Sequence, residues 1–209
     1  GCNTIFTSKE DKKTRYIEYL KKELNILKNH LNTSRVVTQM HFGGGTPTYF
    51  SPEQLEEVIN AVKEIFPNFA SDAEVSCEVD PRYFTVEHMN VLKAGGCNRL
   101  SFGVQDLDEI VQKTIHRIQP FELTQNVINI AREAGIHSVN TDLIYGLPAQ
   151  DVDNFVNDLK IADSLPIDGM DLYQLNVFEQ SALKKAVSLN KKATVICGSF
   201  LLLKEYKKP

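Results

Sequence analysis

The stretch Val36-Val37-Thr38-Gln39-Met40-His41-Phe42-Gly43-Gly44-Gly45-Thr46-Pro47-Thr48-Tyr49 decides how this chain folds. Its first half is rich in β-branched and apolar residues and reads as a buried strand, and its second half leads into a helix. Three consecutive glycines remove three Cβ atoms, so the backbone can take positive φ and bring its N–H groups close to a polar ligand. A glycine-rich strand-to-helix turn serves equally well as a tight connection, and on pattern alone both readings stand. The spacing fits neither G-x-G-x-x-G nor G-x-x-x-x-G-K-[ST], which argues against a dinucleotide fingerprint and a P-loop.

Working outward, Ser51-Pro52-Glu53-Gln54 supplies an N-cap serine, a proline at the first helical position and a reciprocal capping glutamine. They start a helix over 52–66, with Leu55, Ile59, Val62 and Phe66 facing inward. Upstream, residues 15–31 space Tyr16, Leu20, Leu24, Leu27 and Leu31 as one apolar stripe on a charged helix. Downstream the strand-and-helix unit recurs. Strands are expected over 74–79, 98–104, 138–145 and 170–177, with helices over 85–92, 107–114, 123–134, 151–164 and 193–206. Five strands alternating with helices give an α/β chain with a parallel sheet and crossover helices.

The bulk composition excludes several classes. With 209 residues, 42% hydrophobic and 24% charged, the chain can bury a core and is not a disordered segment. A net charge of −4 leaves no overall basic field to attract nucleic acid or a membrane surface. Local positive charge near Lys9 and Lys204 is mixed with acids and reads as solvated helix faces. No apolar run approaches the roughly 18 residues of a membrane span, and no signal peptide opens the chain, so a cytoplasmic location is expected. The start at Gly1-Cys2-Asn3 carries no methionine, so a piece of a longer protein is expected. Cys2, Cys77, Cys97 and Cys197 form no C-x-x-C pair, so neither a zinc ribbon nor a disulfide framework is expected.

In parallel α/β folds the ligand lies at the carboxyl ends of the strands. The polar residues expected there are 43–46, Glu78, Asp80, Gln105, Asp106, Asp142, Gln174 and Asn176, which together make one polar ring. Singly, each reads as well as a cap or an ordinary strand-end group. Asp142 and Glu78 interrupt apolar runs, where an unpaired carboxylate is costly, so each needs a basic group or a ligand ammonium. Arg117 could meet such an acid or a ligand carboxylate with its planar fork, or lie on the surface.

Four segments in order, Gly43-Gly44-Gly45-Thr46-Pro47-Thr48, Glu78-Val79-Asp80-Pro81, Asn98-Arg99-Leu100-Ser101-Phe102-Gly103-Val104-Gln105 and Asp142-Leu143-Ile144-Tyr145-Gly146-Leu147-Pro148, resemble the oxygen-independent coproporphyrinogen III oxidase family, whose members are radical S-adenosylmethionine (SAM) proteins. The resemblance covers residues 1–180 and implies a partial (β/α)6 TIM-like barrel of the radical SAM type, its first strand missing here. Residues 181–209 would then begin a helical C-terminal segment. By the same resemblance, Gly44, Gly45 and Thr46 match the glycine motif that meets the methionine moiety of SAM. Glu78, Gln105, Arg117 and Asp142 match further SAM contacts, and Asn176 falls at another, where the family residue differs. An ammonium, a carboxylate, two ribose hydroxyls and an adenine need such acceptors, backbone donors and a cation.

The family's [4Fe–4S] cluster is held by C-x-x-x-C-x-x-C. The chain would start just after the last of those cysteines, with Cys2 matching a cysteine that is not normally a ligand. No metal ligand is therefore expected in these residues, and alone they would not assemble the cluster. The implied activity is oxidative decarboxylation of two propionates of coproporphyrinogen III to vinyl groups, giving protoporphyrinogen IX without oxygen. Glu78-Val79-Asp80-Pro81-Arg82 and Val104-Gln105-Asp106 favour it. Asp168-Gly169-Met170-Asp171-Leu172-Tyr173-Gln174-Leu175-Asn176, with Ala182-Leu183-Lys184-Lys185-Ala186, is closer to a haem-utilisation branch. A non-catalytic haem chaperone is a third reading. Expected partners are a porphyrinogen or haem-type substrate and an electron donor, with no nucleic acid or membrane, around a monomer.

Overall fold

Parallel neighbours cannot be joined by a hairpin, so each strand-to-strand step must carry the chain back over one face of the sheet. The computed structural model describes residues 10–176 and shows this pattern four times. After helix α1 (Glu10–Lys28) come β1 (Val37–Phe42), α2 (Pro52–Ile65), β2 (Phe69–Val79), α3 (Val86–Ala94) and β3 (Arg99–Gln105). Helices α4 (Glu109–Thr114) and α5 (Phe121–Glu133) lead to β4 (Ser138–Tyr145), and α6 (Val152–Asp163) leads to β5 (Gly169–Gln174). All five strands are parallel and lie in chain order, forming a half-barrel with its helices outside. The expected helix over 193–206 and the last residue of the expected fifth strand lie outside the described residues.

Local chemistry sets the element ends. Ser51 and Gln54 form the reciprocal capping box, with Pro52 at the first helical position. The Thr85 hydroxyl accepts from His88 N–H to start α3, and the Asp151 carboxylate accepts from Asn154 N–H to start α6. Strand β2 begins five residues earlier than its apolar pattern indicates, because Phe69 pairs with Val37 and the extra residues before Glu74 bulge out of β2.

The core lies between the convex face of the sheet and the helices. Val75, Cys77, Leu100, Phe102, Val139 and Leu143 of the strands pack with Leu55, Ile59, Met89, Leu92, Ile128 and Phe155 of the helices in one buried cluster. One apolar stripe needs correcting. Helix α1 buries Ile17 (2% exposed) and Leu24, one heptad apart, whereas Tyr16 is 60% exposed and Leu31 lies beyond the helix end. The helix leans on α2 along a narrow seam, fixed by stacking of Tyr16 on Phe50 and by Lys21 Nζ to Glu57 Oε1 at 2.9 Å, so one row of residues suffices to cover it.

Candidate functional site

Successive side chains of a strand point to opposite faces. With one face of this sheet packed on helices, the alternate residues line the concave side. Register sets them in rows: His41, Ser76, Arg99 and Ser138; then Glu78, Ser101, Asn140 and Gly169; then Gly103, Asp142 and Asp171. A closed barrel of this kind fills its interior with branched apolar side chains. This half-barrel presents a polar surface instead, in which Glu78, Asp142 and Asp171 outnumber Arg99.

The glycine turn stands at the edge of that surface. A Cβ on Gly43 would collide with His41 Nε2 and lie 3.0 Å from Glu78 Oε1, so any side chain there would have to push these two aside. Gly44 has φ +105° and open space where a Cβ would sit, so at that position the backbone conformation requires glycine. The Gly44 N–H donates to Glu78 Oε2 at 3.0 Å. His41 Nε2 lies 3.5 Å from Glu78 Oε1, and His41 Nδ1 is 2.8 Å from Ser76 Oγ. Ser76, His41, Glu78 and Gly44 thus form one connected row from the sheet to the turn. Thr46 Oγ1 donates to Gly45 O at 2.7 Å and precedes the short turn Pro47–Tyr49.

Asp142 accepts a hydrogen bond from Ser101 Oγ at 2.7 Å and faces Asp171 across the β4–β5 register. Burial raises its pKa above the usual carboxylate range; the Ser101 bond opposes this, and the Asp171 and Glu78 charges add to it. Within the protein Asp142 is met by a hydroxyl rather than by the basic group expected for it, with two further acids close by and Arg99 acting more weakly. Tyr173 is pushed up by burial and by the same three acids.

Arg117 meets its acid in Asp80. Its Nη1 lies 3.0 Å from Asp80 Oδ2, and its Nη2 donates to Gly103 O at 2.7 Å. The same carboxylate takes Arg82 Nη2 at 2.7 Å and Arg82 Nε at 3.0 Å. Burial pushes Asp80 up, and the two guanidiniums outweigh it, holding the carboxyl low. Burial also lowers Arg117 despite that pairing, and its Nε is buried with no partner. Gln105 has φ +71°, rare for a residue with a side chain. A Cβ on Gly103 would lie 2.8 Å from Gln105 Nε2 and 3.3 Å from Arg117 Nη2, so both side chains fold over that glycine.

The structure thus brings Gly44, Glu78, Gln105, Arg117 and Asp142 to the carboxyl ends of β1 to β4, with Gly45 and Thr46 in the adjoining turn. Asn176 lies exposed two residues past β5, after Leu175 N–H bonds Tyr145 O at 2.9 Å. Asp106 leaves the expected ring: it is 1% exposed and faces the helix layer, where Gln150 Nε2 donates to its Oδ2 at 2.7 Å. His41, Ser76, Ser101 and Asp171 join the concave surface without having been singled out in the sequence. Among the described residues no group of three His, Cys, Asp or Glu side chains is placed to hold a metal. Cys77 and Cys97 are buried free thiols. Among the same residues no helix is long and apolar enough to cross a membrane.

The family model for the radical SAM superfamily matches residues 2–162. The chain belongs to the radical SAM superfamily. It is 59% identical over 160 residues to the oxygen-independent coproporphyrinogen III oxidase of Helicobacter pylori strain J99, covering 77% of this chain and 35% of that protein. It is 40% identical over 173 residues to the oxidase of the same name from Escherichia coli K12, covering 83% and 37%. The chain thus spans about a third of the length of the curated relatives it matches. The solved coproporphyrinogen III oxidase HemN of Escherichia coli, described as a radical SAM enzyme, superposes with a TM-score of 0.79 at 33% identity, covering 92% of this chain and 49% of that one. The archaeal Elp3 of Methanocaldococcus infernus shares the fold at a TM-score of 0.60 and 16% identity, covering 81% and 44%. The resemblance to the oxidases and the α/β half-barrel are both borne out.

Superfamily membership implies SAM and a [4Fe–4S] cluster as cofactors. The described residues fit the first. SAM is cationic at its sulfonium and ammonium, and the concave face offers Glu78, Asp142 and Asp171, with Arg99 acting more weakly on Asp142. Arg117, already held by Asp80 and Gly103 O, is the cation nearest the end of β3 for the SAM carboxylate. The described residues supply no set of cluster ligands.

Proposed function

We propose that the protein is an oxygen-independent coproporphyrinogen III oxidase, converting two propionate side chains of coproporphyrinogen III to vinyl groups. The observation that carries this is the acidic concave face of a parallel half-barrel in a chain 59% identical to proteins of that name. When bound, SAM on a reduced [4Fe–4S] cluster supplies a carbon-centred radical able to take a hydrogen atom from the substrate. The chain's own part is to bind and orient. Gly44, Gly45 and Thr46 form the turn that meets the amino-acid end of SAM. Asp142, oriented by Ser101, and Glu78, oriented by Gly44 N–H, accept from its cationic and hydroxyl groups. Arg117 and Gln105, folded over Gly103, supply a cation and an amide at the neighbouring strand end, and Asn176 supplies a further amide beyond β5. Cluster ligands come from outside the described residues.

In this reading the radical SAM core runs over residues 1–180, and residues 181–209 begin a C-terminal segment. The protein works in the cytoplasm as a monomer, with an electron donor for the cluster and no nucleic-acid or membrane partner. The test is an anaerobic incubation of the full-length, cluster-loaded protein with coproporphyrinogen III, SAM and a reductant. Vinyl-bearing product formed in step with SAM consumption is expected. SAM cleavage without vinyl product would reject the oxidase assignment.

A further inference from the structure

Behind the concave face lies a second acidic group that the SAM reading does not use. Asp106, just after β3, and Asp158, on α6, are 1% and 2% exposed. Asp158 Oδ2 accepts from the N–H of Leu107, the residue after Asp106, which sets the two carboxyls beside each other. Two buried carboxylates in contact cannot both be ionised without a large electrostatic cost. The strongest influences on the pair are hydrogen-bond donors and another carboxylate, Asp108 at the start of α4, and no basic side chain stands among them.

The donors are shared unequally. Asp106 takes Gln150 Nε2 on Oδ2 at 2.7 Å and Asp108 N–H on Oδ1 at 2.8 Å, so both its oxygens are engaged as acceptors. Asp158 takes Leu107 N–H on Oδ2 at 3.0 Å. Bonds from N–H donors favour the ionised form, which places the charge on Asp106 and the proton on Asp158. Burial pushes Asp158 up to about 7, and the Asp106 charge adds to the shift.

The pair also ties together three segments that meet at the mouth of the half-barrel. Gln150 Oε1 accepts from Gly146 N–H at 2.6 Å, and its Nε2 donates to Ile144 O at 3.0 Å, fixing the turn after β4. Gln112 Nε2 donates to Asp106 O at 2.9 Å from α4. Asp106 N–H bonds back to Val104 O at 2.9 Å, closing a tight turn around Gln105 at φ +71°. A left-handed glutamine persists only where its surroundings over-determine it.

We propose that Asp106 and Asp158 share one proton, carried by Asp158, and that this acid pair is the positioning device that holds Gln105 in its left-handed turn at the SAM site. The positioning role rests on the SAM reading of Gln105; the shared proton does not. Because the folded protein keeps a proton on Asp158 that the unfolded chain gives up near an ordinary aspartate pKa, the stability contributed is full at acid pH and is lost as pH rises through about 7.

The test uses the full-length protein with Asp158→Asn and Asp106→Asn. An asparagine at 158 reproduces the neutral acid: its amide can donate to Asp106 and its oxygen can accept from Leu107. At 106 an asparagine turns an N–H2 against Gln150 or Asp108 N–H. Asp158→Asn should melt like wild type near about pH 5 and above it near about pH 8.5, while Asp106→Asn melts lower at both. An infrared band of a buried protonated carboxyl, present in wild type at neutral pH, should vanish in Asp158→Asn. SAM affinity should survive Asp158→Asn and fall about tenfold or more in Asp106→Asn. Parallel melting-versus-pH curves for wild type and Asp158→Asn would overturn the shared proton, and that comparison stands even if Asp106→Asn does not fold. Unchanged SAM affinity in a folded Asp106→Asn would overturn the positioning role. Gln105→Ala separates the two readings: if it binds SAM normally, the ligand assignment fails, and the melting curves still judge the acid pair.

Discussion

Replacing Asp142 with asparagine should move stability and SAM affinity in opposite directions. The side chain accepts from Ser101 Oγ at 2.7 Å and lies among Asp171 and Glu78, so in the empty protein its charge is a liability. Asparagine keeps an oxygen for Ser101 and removes the like-charge repulsion; folding stability should hold or rise by about 1 kcal/mol or less. The sign follows a pH rule. The Asp142 pKa is raised on folding, so its contribution is full at acid pH and is lost as pH rises through the raised value. The advantage of the variant in stability should therefore grow with pH. A hydrogen bond to a charged partner is worth about 1.5–3 kcal/mol, so SAM should bind about 10- to 150-fold more weakly. Anaerobic titration calorimetry and thermal melts of the full-length protein, wild type against Asp142→Asn, read both quantities. Unchanged affinity would refute the assignment of Asp142 to SAM. Affinity and stability falling together would make it a structural residue instead.

Two further substitutions probe the turn and the ion-pair triad. Gly44→Ala should cost about 1–2 kcal/mol of stability for its positive φ alone, since a Cβ there meets nothing, whereas Gly43→Ala should fold but bind SAM poorly because it displaces the half-exposed His41 and Glu78. Melts paired with SAM titrations separate the two. Asp80→Asn strips both Arg82 and Arg117 of their shared carboxylate and should lower stability by about 3 kcal/mol in denaturant unfolding. The wild-type benefit from Asp80 is present above the usual carboxylate range and is lost as pH falls through its lowered pKa.

The alternation of strands and helices is legible in the chain because its punctuation is chemical: Ser51-Pro52, Thr85 and Asp151 mark helix starts, and Asp80-Pro81 a strand end, that the structure reproduces. The five early residues of β2 are not, since Ala70, Ser71, Asp72 and Ala73 carry no strand pattern and only Phe69 before them pairs with β1. Glycine crowding at Gly43 and Gly103 depends on side chains that only the folded sheet brings over them. The polar concave face was partly visible. In β3, Arg99, Ser101, Gly103 and Gln105 alternate with Leu100, Phe102 and Val104, a period of two that marks a two-sided strand rather than a uniformly buried one. Read that way, His41, Ser76 and Ser101 would have joined the candidate site. Asp106 follows Gln105 in sequence and so looks like its neighbour in the ring, but the period of two that puts Gln105 on the concave side puts the next residue in the helix layer. That Arg117 belongs to Asp80, and that Asp171 faces Asp142, are facts of tertiary register with no local signature.

The central claim is that the concave face of this half-barrel is the SAM site. The most direct measurement is a crystal structure of the full-length protein with SAM bound, grown without oxygen. The account predicts density for SAM at the carboxyl ends of β1 to β4, with Asp142, Glu78 or the Gly44 turn within hydrogen-bond distance of its polar groups. SAM seated elsewhere, with these residues keeping only the contacts they make to one another, would contradict it.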